Sequence, residues 1–581
     1  MEAMNKQMVL FFSAVTSVFF SMPLAFGQGG GDVNIVTDSD RSITPASRIY
    51  LRPKMIDTAI TSPVLVYPLL VLKEETSFEV EGIEPANIRH RPQLSQLYNG
   101  YAKIGGGSRL RGLGEVYYNS TRSRKYNWGA HALHHSEWGE ISEYAPSMYD
   151  KTSVKAFGKV EESRFSYGGG AHYLNQGLHY YGFQNPDADR DSIKQRYQSF
   201  GFNAFYDSHK KDSAMLNYRI GVEYDNFSDR KPEADSLSDW RGRENFIGIK
   251  TSWQYNTSSN VLLSNLRADL DIGYNGYKYG IGDTSIALLD TGIVSKNTVI
   301  QLRPVTSFYG MNEKLQFKVG GEFALDVHEE TKASLYPIAE VRYSLFDDIF
   351  IPYAGVEGGL KQQRFAHLAA ENEFIGSNNQ IKNESRYKFH FGIKGTLTSR
   401  ISFNANVAFM NWRNHALFIN DTIYSSGNQF RVEYDTVAVT TISGSISYQQ
   451  DEKLKIDLIG RFNTYAANNN PYAWNLPQLE LITRGTYNIA DKLIAKVDFS
   501  LETGRNARVF DPTLEGAKLE DGMYFKKLGV LADVNIGAEF RYTPRLSIFA
   551  NFNNIAAQNY QRWNGYPVNA FQFMAGLTFR F

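Results

Sequence analysis

The stretch that most constrains this chain is its last, Asn569 to Phe581, which reads N-A-F-Q-F-M-A-G-L-T-F-R-F. In an extended strand Phe571, Phe573, Ala575, Leu577, Phe579 and Phe581 share one face, and Gln572, Met574, Gly576, Thr578 and Arg580 share the other. An apolar face and a mostly polar one, over about ten residues, suit a strand with lipid on one side and a wet lumen on the other. Period two alone says only that a strand is half buried, so the last strand of a soluble sandwich fits as well. The rest of the chain has to separate the two.

From Leu97 onward one unit repeats: an alternating run, a short polar turn, a second alternating run and a longer polar link. The short turns include Arg122-Ser123-Arg124-Lys125, Glu161-Glu162-Ser163, His209 to Asp212, Thr257-Ser258-Ser259, Thr398-Ser399-Arg400, Ala490-Asp491-Lys492 and Thr543-Pro544-Arg545. They recur roughly every 35 to 55 residues, which is a hairpin period. Ten such turns and eleven links require about 22 strands. In 530–542 the alternation sends Val534, Ile536, Ala538 and Phe540 toward lipid and the polar Asp533, Asn535, Glu539 and Arg541 toward a lumen. The predicted fold is therefore an all-β, transmembrane antiparallel β-barrel over residues 96–581. The even count places every short turn on the periplasmic side and the longer loops outside. Weak alternation in 250–300 and 350–390 leaves the count open by about two strands.

The amino terminus supports export. Lys6 gives a small positive region, Met8 to Phe20 is apolar, and Ala25-Phe26-Gly27 offers small residues for cleavage, so residues 1–27 read as a signal peptide cut between Gly27 and Gln28. No internal apolar run is long enough for a membrane helix, while aromatics reach 14%, with 36 Tyr and 38 Phe, as strands and interfacial girdles would use them. Lysine plus arginine equals aspartate plus glutamate at 61 each, which points to no nucleic-acid partner. The chain has no cysteine, which excludes disulfides and an anchor on an amino-terminal Cys. Residues 28–95 carry Gly29-Gly30-Gly31 and prolines at 45, 53, 63, 68, 85 and 92. Such a segment reads as irregular, and it is a candidate lumen plug.

Motifs for chemistry are weak, and the expectation is a non-enzyme without cofactor or metal. His131, His135 and Glu137 share a strand face and read as lumen polar groups. Asp187, Asp189 and Asp191 mimic the start of a calcium loop, but Ser192 and Gln198 stand where its glycine and bidentate acid belong. Gly105-Gly106-Gly107 and Gly168-Gly169-Gly170 lie within strands, where close packing explains them better than phosphate binding. The ligand candidates are aromatic and basic residues in the outer loops: Trp412, Arg413, Tyr472, Trp474 and Trp563. They could equally belong to an outer aromatic girdle.

The closing hairpin carries a family likeness. F-N-N-I-A-A-Q-N-Y-Q-R-W-N-G-Y-P at Phe552 to Pro567, then F-Q-F-M-A-G-L-T-F-R-F at Phe571 to Phe581, resembles the end of TonB-dependent receptors of the Bacteroidota type. The resemblance implies solute passage or uptake across the bacterial outer membrane, contact with outer-membrane lipid, and delivery by the barrel-assembly machinery acting on the C-terminal strand. Family members place a folded plug domain of well over a hundred residues before the barrel, and residues 28–95 are too few for one. Asp32-Val33-Asn34-Ile35-Val36-Thr37 looks only faintly like a TonB-contacting box. The other reading is therefore a non-catalytic subunit of an outer-membrane machine for protein assembly, secretion or surface-lipoprotein export, with a surface lipoprotein or other subunits as partners.

Overall fold

The computed structural model describes residues 97–581 apart from 210–215, 230–240, 257–264, 281–291, 312 and 329. The signal peptide, the Gly27–Gln28 cleavage site, the segment 28–95, the turn at Thr257 and most of the turn at His209 lie outside the described residues. Twenty-two strands form one sheet that closes on itself. Gly100–Gly107, the first strand, runs antiparallel to Gln572–Arg580, the last, with Tyr101 opposite Arg580 and Gly105 opposite Gly576. A Cβ on Gly576 would overlap the Ile104 carbonyl oxygen, so glycine is needed where the two ends of the sheet meet. The two weakly patterned stretches resolve into separate strands. Arg243–Asn256, Asn265–Tyr279 and Ile293–Gly310 fill the first, and Ile351–Lys361 and Glu384–Thr398 flank a helix in the second.

Alternation in sequence becomes alternation of surface. On the last strand Leu577 is 52% exposed while Thr578 beside it is 3% exposed, and Phe571, Phe579 and Phe581 share the exposed face. Phe573 is half-buried on that face, ringed by Phe552 at 5.2 Å. Val222, Ile249, Val319, Ile442, Val497 and Ile536 continue an exposed apolar belt around the barrel. Near the short turns the exposed residues become Tyr118, Trp128, Tyr167, Trp253, Tyr309 and Tyr487. An apolar band bordered by aromatics on the outside of a closed barrel is a lipid-facing surface. Asp533, Asn535, Glu539 and Arg541 are half-buried on the opposite face, and Asn535 Nδ2 donates to Asp533 at 3.0 Å.

One seam departs from this regularity. Thr331–Tyr343 pairs fully with Leu315–Val327, but with Ile351–Lys361 only over Ala339–Arg342 against Tyr353–Val356. The sequence contains the reason. Ser344 donates its N–H to Lys314 and Leu345 donates to Phe350, so odd-numbered residues here direct their backbone toward Ile351–Lys361. The next odd residue beyond Ala339 is Pro337, which has no N–H to give. Above that point Gly358 to Lys361 tucks inward. Leu360 packs with Val299, Ala324 and Tyr336, and the Tyr336 ring lies 4.9 Å from that of Tyr387. Interior side chains replace the missing ladder: Leu360 N–H donates to Glu322 at 2.9 Å, and Gln301 Nε2 donates to Leu360 O at 2.6 Å. Glu322, fully buried, is held by Arg303 Nε at 2.9 Å and Gln301 at 2.7 Å.

Candidate functional site

The tucked strand delivers residues 362–383 across the loop end of the barrel. Phe365–Glu371 forms a short helix, with Phe365, Leu368 and Ala369 buried on one side at the i, i+3, i+4 spacing. Its first-turn N–H groups have no partner within the helix, and the Glu244 carboxylate from the wall accepts from Phe365 and Ala366. Beyond the helix the chain is extended, and tyrosines of the wall satisfy its carbonyls. Tyr180 and Tyr197 hydroxyls donate to Ile375 O at 3.1 and 2.9 Å, and the Tyr277 hydroxyl donates to Ser377 O. From another part of the ring, Phe430 O accepts from Gly376 N–H at 2.8 Å and Phe430 N–H donates to Phe374 O at 2.9 Å. Bonds to walls so far apart require the segment to cross the mouth. Phe365, Leu368, Phe374 and Ile375 are its buried apolar residues, packed with Phe227, Tyr277, Phe430 and Tyr566 in one cluster. Burying each such side chain contributes roughly 1.5–3 kcal/mol.

Charge is placed with equal care. Arg364 pairs with Asp225 at 3.0 Å, lies 4.2 Å over the Phe246 ring, and donates through Nε to His367 Nε2 at 3.1 Å. Burial first, and then the Arg364 guanidinium, pushes His367 down to about 4, so the imidazole is neutral near pH 7. Glu373 accepts from Gln176 Nε2 at 2.6 Å, and its burial raises its pKa. Between this segment, the neighbouring strand ends and the last loop lies a cavity of about 450 Å³. Tyr181, Phe374 and Trp563 supply aromatic walls, and Lys151, Arg562 and Glu373 supply charge. Neither Lys151 nor Arg562 has an ion-pair partner among the described residues. A cavity with aromatic walls and two available cations can hold a small ligand with a flat body and an anionic group.

Solved structures share this architecture at low sequence identity. The ferripyoverdine receptor of the outer membrane of Pseudomonas aeruginosa, bound to ferripyoverdine, is 13% identical over 84% of this chain and 72% of its own, with a TM-score of 0.60. The siderophore receptor PirA from Acinetobacter baumannii is 10% identical over 84% and 81%, with a TM-score of 0.63. The FrpB iron transporter from Neisseria meningitidis is 10% identical over 84% and 82%, with a TM-score of 0.62. The fold is that of the TonB-dependent receptor barrels. No protein-family model and no curated protein matches the sequence.

Of the ligand candidates read from sequence, Trp563 lines the cavity. Trp412 and Arg413 lie within the strand Ile401–Asn420, next to a register shift between Trp412 and His415, and not in a loop. The strand continues for several residues past that bulge, which the polar run N-W-R-N-H concealed. Trp412 faces a second cavity of about 610 Å³ with Arg386 and Lys388, and the Arg413 guanidinium stands 5.6 Å over Tyr387. Trp474 is 1% exposed and donates to Asn470 at 2.9 Å, packed with Leu417 and Val437. Tyr472 rests 4.7 Å from the Phe525 ring with its hydroxyl on Glu520. These two rings hold outer loops together.

The metal-like motifs are divided among separate partners. His131 meets Glu115 at 3.0 Å, Glu137 meets Arg111 at 2.6 Å, and Asp189 caps the helix Arg190–Ile193. The crossing segment itself went unread in the sequence. Its signals are the apolar spacing of Phe365, Leu368 and Ala369 inside a long link, and Pro337 inside a strand.

Proposed function

We propose that this chain takes up or passes a solute across the bacterial outer membrane, as a TonB-dependent receptor-like barrel of the Bacteroidota type. The observation that carries the reading is a segment folded across the mouth of a closed barrel, beside a cavity suited to a small anionic ligand. Siderophores, iron and copper are the cargoes named for proteins of this fold, including the copper transporter OprC. In this reading residues 28–95 act as a reduced plug, so TonB engagement is not assumed, and the protein carries no catalytic group or cofactor. The closing strand Gln572–Arg580 serves as the signal for the barrel-assembly machinery.

The test is single-channel conductance of the mature chain against variants lacking 366–382, lacking 28–90, or lacking both. A large pore in the double deletion is expected. A correctly folded double deletion that conducts no ions overturns the reading.

A second reading is favoured by the outer loop 504–530. It raises a three-stranded sheet of Asn506–Val509, Met523–Lys527 and Lys518–Glu520, with Leu514 and Leu519 exposed. Such a surface suits a surface lipoprotein or another subunit of an outer-membrane complex. Gentle detergent extraction with fixed stoichiometric partners is the expected result there, and a lone monomer contradicts it.

A further inference from the structure

We propose that the strand Ile351–Lys361 is a hinge with two positions, and that moving between them lifts residues 362–383 out of the mouth. In the position seen here, backbone groups of Leu360 are held by Glu322 and Gln301 from the inner wall. In the other, the upper half of the strand pairs with its unused neighbour, the Thr331–Ile338 half of Thr331–Tyr343. Extending the register of Ala339 opposite Val356 brings Pro337 opposite Gly358 and Leu335 opposite Leu360.

Each position satisfies the backbone of Leu360 once. For Leu360 the two are alternatives, as in a switch between discrete packings, and the apolar packing of residues 362–383 keeps the tucked one dominant. Pro337 weights the balance toward the tucked state by removing one ladder donor from the paired state. Glu322 weights it the same way, because its carboxylate makes a charge-assisted bond to Leu360 N–H while Arg303 neutralises it. Gly358 and Gly359 give the strand freedom to bend at that point. The segment beyond is joined to the rest of the mouth by hydrogen bonds, the Arg364–Asp225 ion pair and apolar packing, with no disulfide, since the chain contains no cysteine.

The hinge goes beyond the transport reading, and its test does not depend on any solute. Ser377, within the crossing segment, is 2% exposed, and its hydroxyl donates to Asp229. In the cysteine-free full chain, Ser377→Cys introduces a single, nearly isosteric thiol. Its reaction with a membrane-impermeant maleimide reads the fraction of time the segment is lifted. Adding Pro337→Val restores the ladder donor and is expected to raise the labelling rate about fivefold, the value of one net hydrogen bond. Adding Glu322→Gln is expected to raise it about tenfold, the larger effect of a charged acceptor. Folding of each variant is checked by its heat-modifiable mobility. Labelling that rises only with Glu322→Gln overturns the strand exchange, and labelling unchanged in both folded variants overturns the hinge.

Discussion

The barrel contains two seams that could have been expected to behave oppositely. Where the chain ends meet, Gly100–Gly107 and Gln572–Arg580 have no covalent connection, yet they pair along their length. Thr331–Tyr343 and Ile351–Lys361 are joined by a short turn, yet they pair only near that turn. Connectivity therefore does not decide where the wall is zipped. Backbone chemistry does: glycines at 105 and 576 allow close approach at the first seam, while Pro337 withholds a donor at the second and Glu322 and Gln301 offer a substitute.

Breaking the contents of the open seam should have the largest effect. Phe365, on the helix of the crossing segment, is completely buried, and Phe365→Ala is expected to cost that segment about 3–5 kcal/mol while the barrel stays folded. Limited proteolysis should then cut within 362–383, and an uncut segment would show that its packing is not what holds it. At the closing seam, Gly576→Val overpacks the join and should cost about 1–3 kcal/mol. Thermal unfolding of the whole barrel reads this loss, and an unchanged midpoint would mean that the join tolerates a side chain. A smaller effect, about 1 kcal/mol, is expected from Glu244→Gln, which removes the charge at the start of the helix Phe365–Glu371. Circular dichroism cannot resolve seven residues in a barrel, so exchange of the Phe365 and Ala366 amides is the measurement.

The last effect is a dependence on pH, blunted because two buried groups titrate in opposite senses. His367 is neutral in the folded segment and its pKa is lowered to about 4, against 6.5 when unfolded. Its contribution is therefore complete above pH 6.5 and is lost as pH falls toward 4. Arg364, Lys361 and Lys250 oppose its protonation and Asp225 favours it. Glu373, whose burial raises its pKa, contributes in the opposite sense and gains as pH falls. Acidification in that window should speed proteolysis of 362–383, and His367→Gln should flatten the dependence; a flat profile in the unaltered protein would remove His367 from the account.

The same contrast explains what the sequence allowed to be read. Strands of the regular wall announce themselves because lipid and lumen impose period two on every residue, as in 530–542 and in the closing strand. The turns follow because charged and polar residues such as Ala490-Asp491-Lys492 interrupt that period. The crossing segment is buried against protein, so no solvent boundary marks its sequence, and its anchors Glu244, Tyr197, Tyr277 and Phe430 are scattered along the chain from residue 197 to residue 430. Trp474 and Trp563 look alike in a loop read as sequence. Only packing separates the one buried in a loop core from the one facing a cavity.

The most direct measurement is amide hydrogen exchange of the full chain in detergent at Gly376 and Phe430, whose N–H groups join the crossing segment to the wall. Protection comparable to that of amides in the neighbouring strand Phe430–Gln450 is the predicted result. Exchange of both at the rate of a solvent-exposed loop would contradict the closure of the mouth by residues 362–383.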